Sequence, residues 1–457
     1  MTRSAALLAG GTDTIVARAT ADGRAALATI RMTGAQAISI ASALGASGLA
    51  PRMATRATLL HPRSGVPLDD AVVTAFLSPH SFTGEDVVEF STHGGRVVPS
   101  LVVAACVAAG ARLALPGEFT RRAVVNGKLD VLQAEAIADL IDARTVAMQQ
   151  QALSQLDGGL SRRLLALRDD VIHLEALLAY DIDFPEEDDG PIAPARITVA
   201  AQSLRTRLDA LLATAPRAAL LRDGAIVVIA GPPNAGKSSL FNALLGEARA
   251  LVTPIAGTTR DAVDALLDRS PVPLRFVDTA GLRETSDTLE RLGIEVSERY
   301  LASAQVVLAC GASTDEIQLA LQAVSARTTA TVLAVHTKSD LLGAPRADDA
   351  RWCYASAESG EGLASLLERI DSAVAEVNGD APIDTDAVVT RERHQRGLRE
   401  ARDEVERFVE GWGSGALPAT VAAVHLQTAR DALSELVGAI GNDEVLDRVF
   451  REFCIGK

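Results

Sequence analysis

The feature that most constrains the fold is a short apolar run that leads directly into a loop with two glycines. Residues Ala225-Ile-Val-Val-Ile-Ala230 are small or β-branched, which predicts a buried parallel strand. The next residues, Gly231-Pro-Pro-Asn-Ala-Gly-Lys-Ser238, have the spacing Gly-x4-Gly-Lys-Ser. The glycines let successive N–H groups point at one anion, and the following helix offers its positive end to the same anion. The pair predicts a phosphate-binding loop, although a chance match to this pattern alone stays open.

Strands and helices alternate around this loop over residues 220–380, which predicts a doubly wound α/β domain. Its strands are predicted at Ile226–Ala230, Leu274–Asp278, Gln305–Cys310, Thr331–His336 and Trp352–Ser356.

The flanking sequence has other patterns. After an unstructured start to about residue 12, residues 1–125 predict an α+β domain of short strands and helices. Residues 126–219 and 381–457 have helical periodicity, so we expect a multidomain α/β and α protein whose α/β domain is inserted into a discontinuous helical domain. The acidic block Asp181–Gly190 is either a solvated loop or a metal site. The predicted strands are Thr14–Ala19, Ala26–Met32, Ala71–Leu77 and Asp86–Thr92, and the predicted helices are Ala35–Leu44, Val97–Ala109, 129–141, Leu160–Tyr180, Ala195–Ala213, Arg391–Glu410, Thr420–Ile440 and Asp443–Phe453.

Composition and cysteine spacing indicate the compartment. The chain has 457 residues, enough for roughly two to four domains, and a net charge of −15. Its 4 cysteines are far apart, which argues against a zinc site or a disulfide framework and for a reducing environment. No apolar run reaches the ~18 residues of a membrane span, and the first residues lack a signal-peptide core. We therefore expect a cytoplasmic protein with no membrane partner.

Further motifs supply groups for a nucleotide and its metal. Lys237 would reach the β- and γ-phosphates, and the Ser238 hydroxyl would bind Mg²⁺. Asp278-Thr-Ala-Gly281 follows a predicted strand, where its carboxylate suits the water shell of Mg²⁺ and its last N–H suits the γ-phosphate. Gly257-Thr-Thr-Arg-Asp261 carries the hydroxyl of Thr259, which would complete the Mg²⁺ shell only while γ-phosphate is present.

A last pair of motifs predicts which base is bound. Thr337-Lys-Ser-Asp340 occupies the place of the guanine-recognising Asn-Lys-x-Asp, and its Asp340 carboxylate would accept hydrogen bonds from guanine N1 and N2. Ser356-Ala357 would supply a backbone N–H to guanine O6. Together with the phosphate-binding loop, motifs in this order make a chance match negligible and predict a GTPase domain.

Two positions depart from the usual pattern of such domains. Thr337 stands where Asn is usual, which shortens one polar tether to the phosphate-binding loop, so we expect looser guanine affinity with base identity kept. Leu282 stands where Ras-type enzymes place a water-orienting Gln. The site must then position water in another way, and Asn234 is a candidate ligand for a monovalent cation that would act in place of an arginine finger.

Motifs along nearly the whole chain after Asp13 resemble those of the tRNA-modifying GTPase family MnmE, also called TrmE. The resemblance implies a folate-binding N-terminal domain, a discontinuous helical domain and an inserted Ras-like P-loop G domain, assembled as a homodimer. Besides the nucleotide motifs, the matching stretches are Thr14-Ile-Val-Ala17, Ser81-Phe-Thr-Gly-Glu-Asp86, His93-Gly-Gly95, Pro116-Gly-Glu-Phe119, Lys128-Leu-Asp130, Gln133-Ala-Glu-Ala-Ile-Ala-Asp-Leu-Ile-Asp142 and Phe453-Cys-Ile-Gly-Lys457.

For the G domain, the resemblance implies GTP hydrolysis stimulated by K⁺ when two G domains meet. It implies catalytic roles for Glu290, Arg283 and Lys237, although the sequence around Glu290 also fits a solvated carboxylate at a helix start. The implied metal ligands are Asn234, main-chain oxygens of Thr253 and Ile255, and Thr258 for K⁺, and Ser238 and Thr259 for Mg²⁺. The residues implied to bind GTP are Asn234, Ala235, Gly236, Lys237, Ser238, Ser239, Thr253, Thr258, Thr259, Asp278, Thr279, Ala280, Gly281, Thr337, Lys338, Asp340, Ser356 and Ala357.

The resemblance also implies a tetrahydrofolate derivative, either 5-formyl or 5,10-methylene, and a flavoprotein partner, MnmG. The pair would add an aminomethyl or carboxymethylaminomethyl group to C5 of the wobble uridine of tRNA. Cys454 would lie near the folate, either as a reactive thiol or as a packing residue. Acidic residues outnumber basic ones by 59 to 44 and aromatics are 3% of the chain, so we expect tRNA to be held mainly through the complex. The implied folate-binding residues are Arg31, Glu89, Lys128 and Lys457.

Two other interpretations remain open from the sequence. One is a ribosome-assembly GTPase of the Era or Der kind, which would carry an RNA-binding module or tandem G domains, whereas this sequence has a single set of G-domain motifs. The other is a folate-binding protein whose GTPase only controls dimerisation. Measuring wobble-uridine modification in a deletion strain separates the leading interpretation from both.

Overall fold

The structure is a computed structural model, and it describes residues 13–183, 194–247, 253–254, 264–269, 272–278, 300–342, 351–378, 388–414, 418–438 and 456. It divides into two compact units. One comprises Met1–Ala138, Gln155–Leu204 and Glu400–Lys457, and the other comprises Asp139–Ser154 and Arg205–Arg399. The predicted mixture of α/β, α+β and helical parts is confirmed, while the boundaries of the individual domains stay a prediction.

The first unit begins with a six-stranded sheet in the order β3-β4-β5-β2-β1-β6. Neighbouring strands pair antiparallel except β1 and β6, which are parallel. Helices α1 (Ala37–Ala43) and α2 (Val98–Ala108) follow β2 and β5. The strands are β1 (Ile15–Arg18), β2 (Leu27–Thr33), β3 (Thr55–Leu60), β4 (Pro67–Phe76), β5 (Val87–His93) and β6 (Arg112–Leu113).

One face of this sheet carries the core and the other carries polar side chains. Ile30, Met32 and Phe90 are fully buried and belong to one apolar cluster with residues of α1 and α2. Because side chains alternate along a strand, the residues between them, Arg31 and Glu89, project from the opposite face. The sheet therefore presents this charged pair away from its main core.

Helices make up most of the sequence that follows. Helix α4 begins at Val131, whose side chain packs closely against Gly438. A Cβ on Gly438 would lie 2.4 Å from Cγ2 of Val131. The helices are α3 (Glu118–Val125), α4 (Val131–Asp142), α5 (Val146–Leu156), α6 (Gly159–Asp183), α7 (Pro194–Leu212) and α8 (Ala215–Asp223).

The second unit is built on a seven-stranded sheet in the order β13-β12-β11-β7-β10-β9-β8. Strand β7 (Ala225–Ala230) lies in its middle, parallel to β10 and β11. The sheet is parallel from β13 to β10, and β9 pairs antiparallel with both β10 and β8. The remaining elements are α9 (Lys237–Glu247), β8 (Thr253–Pro254), β9 (Asp264–Leu267), β10 (Leu274–Asp278), β11 (Val306–Gly311), α10 (Thr314–Ser325), β12 (Thr331–His336), the short 3₁₀ turn Ser339–Leu342, β13 (Trp352–Tyr354) and α11 (Leu363–Asn378).

Both faces of this sheet are covered, which explains why β7 is apolar throughout. Val227 and Ile229 belong to one buried cluster, whereas Val228 and Ala230 belong to another. A parallel strand that is buried on both faces needs an unbroken apolar run and not an alternating one. The predicted central strand and its four predicted parallel neighbours are all present.

Two long helices, α12 (Glu392–Gly413) and α13 (Ala419–Val437), come last. In the first unit α13 packs along α6, and Arg430 of α13 makes an ion pair of 3.0 Å with Glu175 of α6. Gly438 ends α13 in the left-handed conformation, with φ of 78°. No helix in the described ranges is long and apolar enough to cross a membrane.

The sequence missed the shorter elements. Strands β3, β6, β8 and β9 and helices α3, α5 and α8 were not predicted, and β4 starts four residues before the predicted strand, at Pro67. Residues 1–12, most of the acidic block and the helix predicted at Asp443–Phe453 lie outside the described residues.

The turn after β13 gives a stability test. Gly362 has φ of +75°, and a Cβ on it would lie 1.8 Å from the carbonyl oxygen of Tyr354. Gly360 has a nearly identical φ of +79° but nothing within 4 Å of its Cβ position. We predict that Gly362→Ala lowers the free energy of unfolding of this unit by roughly 3 kcal/mol or more. The alanine would adopt an unfavourable positive φ, and in addition the backbone would have to move to separate the new Cβ from the Tyr354 carbonyl. Gly360→Ala should cost only about 1 kcal/mol for the conformation itself.

Calorimetric unfolding of the two variants beside the unsubstituted protein measures this difference. Equal losses in both variants would show that the close contact with Tyr354 is relieved at no cost.

Candidate functional site

The phosphate-binding loop is held by close backbone packing at its start. A Cβ at Gly231 would lie 2.3 Å from the carbonyl oxygen of Cys310 in β11, so only glycine lets β7 turn there. Asn234 and Gly236 both have positive φ, 63° and 78°, which curls the loop ahead of α9. Helix α9 begins at Lys237, and the N–H groups of a first helical turn have no partners inside the helix. Loop and helix together form a cradle for an anion.

The polar side chains of the cradle are hydrogen-bonded to neighbouring groups of the protein. Lys237 is buried, and its Nζ donates to the carbonyl of Pro232 at 2.7 Å. The Ser238 hydroxyl donates to Oδ2 of Asp278, at the end of β10, at 2.6 Å. A hydroxyl and a buried carboxylate that meet at this distance form an oxygen donor set of the kind that suits Mg²⁺.

The predicted base-recognising residues also meet at this edge of the sheet. The Ser356 hydroxyl donates to Oδ1 of Asp340 at 2.6 Å, which fixes the orientation of the carboxylate. The N–H of Ser356 is already bonded to the carbonyl of Glu361 at 2.9 Å. Of the two predicted N–H donors, Ala357 is therefore the one left for a base, because no group in the described ranges accepts from it.

The structure shows how Thr337 connects the two halves of the site, while the expected looser affinity for guanine stays a prediction. The hydroxyl of Thr337, which is buried, donates to the carbonyl of Ala235 in the loop at 2.6 Å. Beside it the Nζ of Lys338 donates to the carbonyl of Asn234 at 3.0 Å. Threonine is shorter than asparagine, but the loop lies close enough for its hydroxyl to make the bond.

Several predicted site residues cannot be placed in this geometry. Of Thr253, only the backbone is described, and it pairs with Leu266 between β8 and β9. The residues that lie outside the described ranges are Ile255, Thr258, Thr259, Thr279, Ala280, Gly281, Leu282, Arg283, Glu290, Cys454 and Lys457.

A second candidate site lies on the polar face of the N-terminal sheet. Arg31 and Glu89 are cross-strand partners, and both Nε and Nη2 of Arg31 lie 2.8 Å from Oε1 of Glu89. The guanidinium also faces the rings of Phe82 and Phe119, at 5.3 and 6.0 Å from their centroids. In the described part of the chain no donor bonds to the other oxygen of Glu89. The pair thus offers a carboxylate acceptor beside aromatic rings.

One further predicted residue, Lys128, can be related to this site, and Gly456 of the C-terminal motif is described next to β1. The Nζ of Lys128 donates to the carbonyl of Pro79 at 3.0 Å, in the loop that also carries Phe82. Gly456 is buried against β1, where a Cβ would lie 2.3 Å from the carbonyl oxygen of Arg18. The structure thus brings Lys128 to the loop beside Arg31.

A buried ionic network holds the loop and the helix that carry the two rings. Glu118, at the start of α3, accepts from Arg112 and from Arg122 at 2.5 and 3.2 Å. Arg122 also donates to Glu85 in the loop and to Asp13 before β1. Burial would raise the pKa of Glu118, but hydrogen bonds from Arg112 and the Leu115 N–H, with the nearby positive charges, lower it below its ordinary value.

Sequence reasoning gave no role to this network or to the two phenylalanines. Glu118 and Phe119 lie in a stretch that we quoted as a motif, and the left-handed Gly117 before them marks a helix start. That start was the available signal, because an acidic residue in a first turn is favoured by the helix dipole. Asp13 and Glu85, which bond to Arg122 in this network, are far away in sequence, and no local pattern points to them.

Comparison with known proteins gives matches over nearly the whole chain. A family model described as the MnmE helical domain matches residues 131–454, and one described as the GTP-binding protein TrmE N-terminus matches residues 14–128. The tRNA modification GTPase MnmE of Azoarcus sp. (strain BH72) is 43% identical, covering 97% of this chain and 98% of its own. That of Ralstonia nicotianae is 41% identical, with coverages of 97% and 96%.

Among solved structures, the G domain of the FeoB iron transporter of T. maritima aligns with 33% of this chain and 98% of its own. Its identity is 23% and its TM-score 0.25, too low to carry an argument.

The ionic network predicts a pH-dependent contribution to stability. Because the folded-state pKa of Glu118 lies below its ordinary value of 4.5, its contribution is complete above that pH and is lost as pH falls through the folded pKa. We predict that Glu118→Gln lowers the free energy of unfolding by roughly 3 kcal/mol at pH 7, since Arg122 loses a buried partner. The difference from the unsubstituted protein should shrink progressively below pH 4.5.

Urea unfolding at several pH values measures the effect. Asp70→Asn is the matched control, because Asp70 also has a lowered pKa from the Thr58 hydroxyl and from Arg56 but is exposed to solvent. It should change stability far less. A Glu118→Gln deficit that is the same at pH 7 and below pH 4 would contradict the ionic account.

Proposed function

The chain belongs to the MnmE (TrmE) family of tRNA modification GTPases, and we propose that it is the GTP-hydrolysing subunit of an enzyme that modifies C5 of the wobble uridine. Membership makes the chain a GTPase that acts in tRNA modification and uses GTP with Mg²⁺. The observation that carries the proposal is the meeting of Lys237, Ser238, Asp278 and Asp340 at one edge of one sheet, which a guanine nucleotide would span.

We assign the phosphates to the loop cradle. Lys237 would exchange the Pro232 carbonyl for the β- and γ-phosphate oxygens, since its ammonium gains more from a charged acceptor than from a neutral one. Ser238 would leave Asp278 to bind Mg²⁺ directly together with Thr259. The metal, when bound, neutralises charge that develops on the phosphates. Asp340 and the Ala357 N–H would bind the guanine edge.

We further propose that Glu290 orients the attacking water and that Arg283 lies near it. Both roles rest on motif match, as does the K⁺ site of Asn234, Thr253, Ile255 and Thr258. All the proposed K⁺ ligands are neutral oxygens, a donor set that suits a weakly charged cation. Such a cation would place positive charge beside the phosphates where this chain has no Gln after Gly281.

For the N-terminal site we propose a tetrahydrofolate derivative as the ligand. The Glu89 oxygen that Arg31 leaves open would accept from the N–H edge of a pterin, and Phe82 and Phe119 supply flat apolar surface beside it. Lys128 and Lys457 would attract the carboxylates of the folate tail, and Cys454 would lie near them. The folate, when bound, supplies the one-carbon unit.

The assembly completes the proposal. We propose that the chain forms a homodimer that works with the flavoprotein MnmG. The two proteins together would add the aminomethyl or carboxymethylaminomethyl group to C5 of the wobble uridine. The net charge of −15 supports a chain that holds tRNA mainly through this complex, because nucleic-acid binding by one chain alone calls for clustered basic residues.

Complementation of a bacterial strain that lacks its own family member tests the function. We expect the chain to restore wobble-uridine modification, measured by mass spectrometry of tRNA nucleosides, and Lys237→Ala to restore none at equal protein level. Absence of modification with the unsubstituted chain, in a host that supplies the flavoprotein, would favour a folate-binding protein whose GTPase only regulates dimerisation.

The proposed cation site predicts a change in ion selectivity. Asn234→Ala should keep its affinity for GTP within about threefold and hydrolyse GTP equally slowly in K⁺ and Na⁺ buffers, since an arginine-finger-like charge is worth about 10³–10⁵ in rate. Asn242→Ala, the same substitution at an exposed position of α9, serves as the control and should keep full K⁺ stimulation. If Asn234→Ala is still stimulated by K⁺, Asn234 is not a ligand of the cation.

A further inference from the structure

Thr337 has one hydroxyl proton, and the structure shows where it goes. Its Oγ1 donates to the carbonyl oxygen of Ala235 at 2.6 Å, and a carbonyl can only accept. What remains on the hydroxyl is acceptor capacity. An asparagine amide in the same place carries two N–H protons, so it could bind the loop with one and keep the other for a ligand.

The chemistry of guanine places one acceptor at this residue. N1 and N2 lie on one edge of the base, and O6 and N7 follow in order around the ring toward N9, which carries the ribose. A base with N1 and N2 on Asp340 and with O6 on the Ala357 N–H therefore turns N7 toward the phosphate-binding loop. Thr337 borders the loop on this side, because its hydroxyl and the Nζ of neighbouring Lys338 bond to the loop carbonyls, and Asp340 follows three residues later.

We propose that this site does not recognise N7 of guanine, and that Thr337 determines this by giving its only proton to the loop. Base selection then comes from Asp340 and Ala357, which contact the N1, N2 and O6 groups. The proposal rests on the proposed role of Asp340 and goes beyond it by stating which purine ligands the site accepts. Guanine nucleotides that carry carbon in place of N7 should bind as well as ordinary ones.

Thr337 also stabilises the phosphate-binding loop, and substitutions can separate this structural role from recognition of the base. Thr337 and Lys338 bond to two consecutive loop carbonyls, those of Ala235 and Asn234. Thr337→Val keeps the shape of the side chain and removes this bond, so it should weaken the binding of every nucleotide alike. Thr337→Ser keeps the hydroxyl and should therefore keep the ratio of the two dissociation constants measured below, whatever its overall affinity.

The experiment compares dissociation constants for GDP and 7-deaza-GDP in the presence of Mg²⁺, using the full chain and the Thr337→Asn, Thr337→Val and Thr337→Ser variants. For the unsubstituted chain and for the Ser and Val variants, we expect the two constants to agree within about twofold. For Thr337→Asn we expect a preference for GDP of roughly fivefold, as one added hydrogen bond gives. The change of the ratio between variants cancels any intrinsic difference in stacking between the two bases.

Either of two results overturns the proposal: a preference for GDP of fivefold or more in the unsubstituted chain, or no gain of preference in Thr337→Asn. A separate arm tests the guanine site itself, by comparing GDP with xanthosine diphosphate in Asp340→Asn. A switch of preference toward xanthosine diphosphate in that variant supports the role of Asp340 whatever the N7 result. Without that switch the guanine site fails, and the N7 proposal fails with it.

Discussion

The contact between Gly231 and the carbonyl of Cys310 is the constraint on which the nucleotide site depends. It lets the chain leave β7 against β11 with no side chain between them, and that fixes where the loop begins. Thr337 and Lys338 then fasten the loop from the end of β12. Parallel strands bring the ends of β7, β10, β12 and β13 to one edge of the sheet, so motifs that are up to about a hundred residues apart become neighbours.

The N-terminal site is organised by charge instead of by close backbone contact. Its residues come from strands and loops that share no local sequence pattern, and Arg122 joins them by bonding to Asp13, Glu85 and Glu118. A buried ionic network of this kind adds little net stability over an apolar one, but it specifies which elements meet. Here it fixes the loop and the helix whose phenylalanines face Arg31.

Sequence patterns predicted the α/β part well because β7 and its parallel neighbours are long apolar runs whose motifs require a definite geometry. They missed β6 and β8, which are two residues long and therefore too short to show a periodic pattern, and β6 pairs with β1, which is distant in sequence. They could not predict the bond from Thr337 to Ala235, because no pattern tells how close the loop comes to this side chain. The composition points to the same sites: among the 44 lysines and arginines of the chain, only Lys128, Lys237, Lys338 and Lys457 are lysines. A chain that otherwise uses arginine keeps the compact ammonium at the positions proposed to contact anionic ligands.

The packing of α13 along α6 determines when the first unit can finish folding during synthesis. The first unit is assembled from three separate stretches of chain, and its last stretch follows the whole of the second unit. When α6 leaves the ribosome its partner helix is still unmade, and at about 5–20 residues per second the wait is on the order of tens of seconds. Leu167 and Leu174 of α6 are buried in the folded protein, and during that time the packing that α13 contributes along this helix is missing. The face of α6 that packs along α13 therefore stays without this partner until residue 437 has been synthesised.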